Sequence, residues 1–220
     1  MTHHPRLLIV LLATASLCTM ALLAFATLNM GRYRSDVPPP TLRTVADNPL
    51  FDNGLALPPF SLTDRSRKTV TDEQLKGKIW VANFIFTRCP GICPPLTQHM
   101  AKLQQELTRH ERWPDIRLVS FTVEPEHDSP QRLNAFASQY GANPDHWLFL
   151  TGQRAAIWQL CRDGFKQPIE ENVENPAIPI VHSSNFALVD RKLRIRGFYD
   201  GLDASARSKL LIDLKRILDE

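Results

Sequence analysis

Cys89 and Cys93 bring the most reactive side chains of this sequence together at the closest spacing, with only Pro90, Gly91 and Ile92 between them. Two thiols this near can form a disulfide, exchange with another protein's disulfide, or hold a metal ion between them. A purely structural bridge is a poor explanation, because closing so short a loop removes little chain entropy. A thioredoxin-type pair has the spacing Cys-x-x-Cys, one residue shorter than this one. On the cysteines alone, redox dithiol and metal-ligand pair both stay open.

The residues on either side say how such a pair is held. Ile79 to Phe86 is apolar and aromatic throughout, as a buried strand is. After the cysteines, Leu96, Met100, Leu103 and Leu107 recur at helical spacing. The pair therefore sits on a strand-to-helix turn. Pro94 and Pro95 suit the first helical turn, where a missing N–H costs nothing. Free amides and the positive end of the helix dipole there favour thiolate over thiol.

Along the rest of the chain the pattern alternates. Phe60–Thr63 and Thr69–Thr71 form a predicted hairpin, followed by a short helical turn at Asp72–Leu75. Ile116–Val123 is the next strand, Glu124–Pro130 a loop, and Pro130 opens a helix to about Tyr140. Trp147–Leu150 is a short strand and Gln153–Arg162 a helix in which Cys161 packs with Ile157 and Leu160. Phe165–Ile180 is irregular and too long for a plain connector. Ser184–Asp190 and Leu193–Tyr199 make an antiparallel hairpin, and Ala204–Leu218 a closing helix. This order predicts an α/β sandwich of thioredoxin type, with Cys89 at the carboxyl end of its first central strand.

The 220 residues carry a formal charge of +3, with Lys and Arg scattered. No basic stripe with interleaved aromatics appears, so nucleic acid is not an expected partner. No phosphate loop, nucleotide fingerprint or Ser-His-acid order is present, which leaves hydrolase and dehydrogenase readings without support. Leu7–Leu28 holds no charged residue and is long enough to cross a bilayer as a helix. A cleaved signal peptide is the competing reading, with Ala24-Phe25-Ala26 as the cleavage site. The division expected is a membrane anchor over 1–30, a tether containing Pro38-Pro39-Pro40 over 31–58, and the folded domain over 59–220, across a membrane from the ribosome.

A metal site would need a third ligand. His3 and His4 precede the anchor, His110 and His146 lie in polar surroundings, and His99 falls on the cysteine helix roughly opposite the thiols. His127 lies in the loop after the Ile116–Val123 strand. His182 stands out, because it follows the irregular loop and precedes a strand. In a thioredoxin-like sandwich that connection passes over the cysteines. Two thiolates and an imidazole make a soft three-donor set suited to Cu(I). Cu(II) would want an added carboxylate or water, and zinc prefers a fourth ligand.

The block Phe86-Thr87-Arg88-Cys89-Pro90-Gly91-Ile92-Cys93-Pro94, with Glu124-Pro125-Glu126-His127-Asp128-Ser129-Pro130 and His182-Ser183, resembles the Sco/SenC family. Its members are membrane-anchored, thioredoxin-like copper proteins tied to assembly of the copper A centre of cytochrome c oxidase. The resemblance covers about residue 55 to the C-terminus. It implies that Cys89, Cys93 and His182 ligate copper and that Asp128, with Glu124, lies outside the ligands near the site. Glu124 stands where the family usually has Asp, and Gly91 where an Asp is frequent. The expected role is delivery of Cu(I) to a copper-accepting oxidase subunit. The alternative is a thiol-disulfide oxidoreductase that uses Cys89 and Cys93 to reduce the client's cysteines.

Overall fold

The computed structural model describes residues 53–220. In chain order these form β1 (Leu55–Ala56), β2 (Ser61–Asp64), β3 (Thr69–Thr71), α1 (Asp72–Leu75), β4 (Ile79–Ile85), α2 (Cys93–Leu107), β5 (Ile116–Thr122), α3 (Pro130–Gln139), β6 (Trp147–Thr151) and α4 (Arg154–Gln159). There follow β7 (Ile169–Glu171), β8 (Ile180–His182), β9 (Asn185–Val189), β10 (Arg194–Asp200) and α5 (Ala204–Leu218). The principal sheet runs β1-β10-β9-β4-β5-β6-β2-β3. At its centre β4, β5 and β6 are parallel, and β9 lies antiparallel against β4. That is the thioredoxin-like arrangement the alternation predicts.

All seven residues of β4 are buried. A strand covered on both faces reads as a continuous apolar run, as this one does. Near its carboxyl end Phe84 stacks on Phe121 at 5.4 Å and meets Phe165 edge-on at 5.2 Å. Burying each such ring contributes roughly 1.5–3 kcal/mol, so this cluster fixes the platform from which the cysteine loop leaves. Leu96, Met100, Leu103 and Leu107 are the buried face of α2, at the spacing read from the sequence.

Three features differ from the sequence reading. Leu55 and Ala56, assigned to the tether, add an edge strand to β10, and Leu57 is buried, so the folded unit begins before residue 59. The short segment lacks strand periodicity, and only the partner edge reveals it. The helix after β6 is α-helical only to Gln159 and widens into a π-turn over Leu160–Gly164. The stretch from Phe165 to Ile180 is not wholly irregular, since Ile169–Glu171 pairs with Ile180–His182 in a separate two-stranded sheet. Glu170 and Glu171 are weak strand formers, which hides β7 from a propensity reading. The predicted anchor at Leu7–Leu28 and most of the tether lie outside the described residues; among those described, no helix is long and apolar enough to cross a membrane.

Candidate metal centre

The cysteine loop is braced before it begins. Beyond β4, the Thr87 amide donates to Asp128 Oδ2 at 3.0 Å, and the Thr87 hydroxyl donates to Asp128 Oδ1. The Thr122 hydroxyl, at the end of β5, donates to the same carboxylate. Asp128 is fully buried and ties the ends of two central strands together. Arg88 then pairs with the buried Glu124, its Nε 2.9 Å from Oε2. With Thr87 and Arg88 both anchored to the loop after β5, the direction of Cys89 is set. The Cys89 amide closes the turn onto Phe86 O at 3.2 Å.

The two thiols are free, buried and unequal. The Cys93 thiol donates to Cys89 and, with the amides of Cys93, Gly91 and Ile92, brings the Cys89 thiol down to about 6, burial opposing. Pro94 and Pro95 remove two N–H groups from the first turn of α2, so the amides that remain are those around the Cys89 sulfur. Cys93 is pushed strongly the other way by its bond to Cys89 and by burial. One proton shared between two sulfurs thus leaves a thiolate at Cys89 and a thiol at Cys93.

His182 completes the group from β8. Its Nδ1 lies 2.9 Å from the Ser183 carbonyl oxygen, which can only accept, so Nδ1 carries the proton. Nε2 is then left with its lone pair, 3.3 Å from Cys93 Sγ. Burial lowers the His182 pKa, the Ser183 bond opposing, which favours the neutral ring. Phe86 packs edge-on against that ring at 5.8 Å. A sulfur about 2.3 Å and a nitrogen about 2.0–2.1 Å from one ion at trigonal angles stand roughly 3.7–3.8 Å apart. The 3.3 Å gap therefore needs to open by only about half an ångström. Among the described residues no three His, Cys, Asp or Glu side chains are already spaced as a metal cage. The two sulfurs and the imidazole lone pair fit the ion once the proton the sulfurs share leaves.

The other candidates are placed differently. Glu124 and Asp128 are both spent on bracing, with Arg88 and with the two threonines. His99 Nδ1 lies 2.7 Å from Gly201 O, and His127 Nδ1 2.8 Å from Arg132. His110 accepts from the Arg112 amide, and His146 stacks on Trp113 at 4.1 Å. Cys161 is buried, its thiol pushed up to about 12 by desolvation, and it packs as expected. The bracing roles of Thr87 and Arg88 leave no local signal in the sequence, since their partners lie 41 and 36 positions away.

Gly91 is exposed, and a Cβ there would meet nothing within 4 Å. An aspartate would fit sterically, and its carboxylate would stand near the Cys89 sulfur.

Comparison with known proteins places this geometry. The SCO1/SenC family model matches residues 52–219. The SCO1 protein homolog of Bacillus subtilis is 35% identical over 158 residues, which cover 71% of this chain and 80% of that protein. BsSco, a member of the Sco family of cytochrome c oxidase assembly proteins with an identified disulfide switch, is 34% identical in its solved structure. Its TM-score is 0.64, over 74% of this chain and 92% of its own. ScoI of Bradyrhizobium japonicum, solved with copper bound, is 25% identical with a TM-score of 0.62, over 74% and 99%. With the match running through every element that builds the thiol-imidazole group, this chain belongs to the SCO1/SenC family.

Proposed function

We propose that this chain is a copper metallochaperone that carries Cu(I) on Cys89, Cys93 and His182 and delivers it to the copper A site of a respiratory oxidase subunit. The observation that carries the reading is the lone pair of His182 Nε2, held 3.3 Å from Cys93 Sγ by the Ser183 bond. Cu(I) is the cargo. On binding, the ion takes the place of the proton the two sulfurs share, and the neutral imidazole joins without losing one. Cu(II) would be held less well by this set and would draw in water or a carboxylate. The copper-bound relative and the oxidase-assembly relative support the same role. Leu7–Leu28 would anchor the domain on the extracytoplasmic side of a membrane, where a dithiol can be oxidised.

A second reading rests on the inequality of the thiols. Cys89, with its thiol brought down to about 6, is suited to attack a client disulfide. Cys93 would then pass its proton to His182 Nε2 and attack Cys89 Sγ. The client leaves as two thiols, and Cys89–Cys93 is left as the disulfide. Two electrons move from this pair to the client, so an outside reductant must restore it.

The two readings part in one experiment. The full-length chain, reduced and anaerobic, should take up one Cu(I), and prior oxidation of Cys89 and Cys93 should abolish uptake. Uptake that survives oxidation would move the site elsewhere. A reduced chain that binds no Cu(I) but reduces a model disulfide would leave the oxidoreductase alone.

A further inference from the structure

His99 and Gly201 belong to neither reading so far, yet they join the two halves of the site. Leu96 and His99 lie one turn apart on α2, the helix whose first residue is Cys93. His99 Nδ1 is 2.7 Å from the Gly201 carbonyl oxygen, so the ring donates there. On its other side the buried Gly201 amide donates to Ser184 O at 3.1 Å. Ser184 follows Ser183, whose carbonyl holds the His182 ring in its metal-ready tautomer. A Cβ on Gly201 would come within 2.3 Å of Leu96 Cδ1 and 2.6 Å of Ser184 O. Leu96 could turn aside, but Ser184 O is backbone and would have to move. Nothing larger than glycine fits between the cysteine helix and the strand connection that carries the histidine.

We propose that Gly201, gripped by His99, sets the span between Cys93 and His182, so that His99 and Gly201 are positioning residues for the copper site. The inference rests on the copper reading and adds to it. The Cys93–His182 gap needs to open by only about half an ångström to admit an ion, so any displacement of that order at Ser184 matters to the metal. It matters far less to the first step of thiol exchange, the attack by Cys89, which depends on that sulfur and the amides around it. The polar link also explains a histidine on the helix face turned away from the thiols.

The test compares the full-length parent with His99→Ala, His99→Asn and Gly201→Ala. Two measurements are made on each: Cu(I) affinity by competition with bicinchoninate, and the metal-free rate at which Cys89 displaces the first thiolate from a small aromatic disulfide. His99→Ala should lose several-fold in affinity, less than the roughly 10–100-fold lost with a group bonded directly to a ligand, while its first-step exchange rate stays at the parent value. His99→Asn sets an amide N–H close to the place of Nδ1 and should recover much of the loss. Gly201→Ala should show the same selective loss, and the His99 pair decides the matter if that variant does not fold. Parent-like affinity in His99→Ala would overturn the proposal, as would affinity and exchange falling together with Asn no better than Ala. A parent that binds no Cu(I) would overturn the copper reading and this inference with it.

Discussion

Asp128 takes both the amide and the hydroxyl of Thr87, a residue 41 positions earlier in the chain and two residues before Cys89. The acidic residue near the site is thus a brace for the cysteine loop, and its distance from the metal question is physical: all its donors are protein groups. Removing it would strand the Thr87 amide and two hydroxyls in a dry place. Asp128→Ala should therefore lower stability by about 3 kcal/mol or more, since each orphaned buried group costs about 1–3 kcal/mol. Denaturant unfolding measures this, and a change under about 0.5 kcal/mol would show that the brace is ornamental.

The pH dependence of thiol reactivity follows from the shifted pair. A cysteine thiol ordinarily titrates near 9.0, and that of Cys89 is brought down to about 6. For an acid with a depressed value the reactive thiolate is present above that value and lost below it. Single-site alkylation of the reduced, metal-free chain should thus rise with a midpoint near pH 6 and map to Cys89. Cys93 should stay unmodified through neutral pH. A midpoint above pH 8, or first labelling at Cys93, would contradict the shared-proton arrangement.

Much of this was legible in the sequence, and the limit has a physical cause. Strand, proline-capped turn and helix around Cys89 are local patterns, and local patterns survive in a string of letters. The α/β order that puts His182 over the thiols could also be read, because strand and helix periods alternate cleanly. The partners of Thr87, Arg88 and His99 could not. Each is a hydrogen bond across tens to a hundred residues, fixed by the sheet order rather than by neighbours. The strand Ile169–Glu171 was hidden for a related reason, since only pairing with Ile180–His182 makes it a strand.

Gly91 offers a test by added charge. It is exposed, two residues from Cys89, with its amide turned to the thiolate. Gly91→Asp keeps that amide and sets a carboxylate nearby, and like charges disfavour the anion. The alkylation midpoint should move upward from about 6, and the shift should shrink in high salt. A midpoint that moves down, or is indifferent to salt, would show that the amides leave no room for a field effect.

Cys161 gives a negative control with a definite outcome. It is fully buried, and its thiol reaches no farther than Gln167 O at 3.8 Å. Cys161→Ser should leave Cu(I) stoichiometry at one per chain and keep the oxidised protein unable to bind. Loss of uptake in this variant would put the buried thiol in the metal site and overturn its packing role.

The most telling substitution is at His182. Two thiolates alone can still hold Cu(I) in a line, so His182→Ala should keep a stoichiometry near one while its affinity falls. A fall of at least the roughly 10–100-fold seen for lost outer partners is expected, because here the donor itself is removed. Cu(II), which depends more on nitrogen and oxygen donors, should be lost altogether. His182→Met restores a soft donor and should recover Cu(I) better than Cu(II). The same change removes the acceptor 3.3 Å from Cys93 Sγ, so the second step of disulfide exchange should slow as well. Competition titration with both oxidation states separates the outcomes. If His182→Ala binds Cu(I) and Cu(II) as the parent does, the imidazole is only the proton acceptor of Cys93, and the copper-carrying role must rest on the two sulfurs alone.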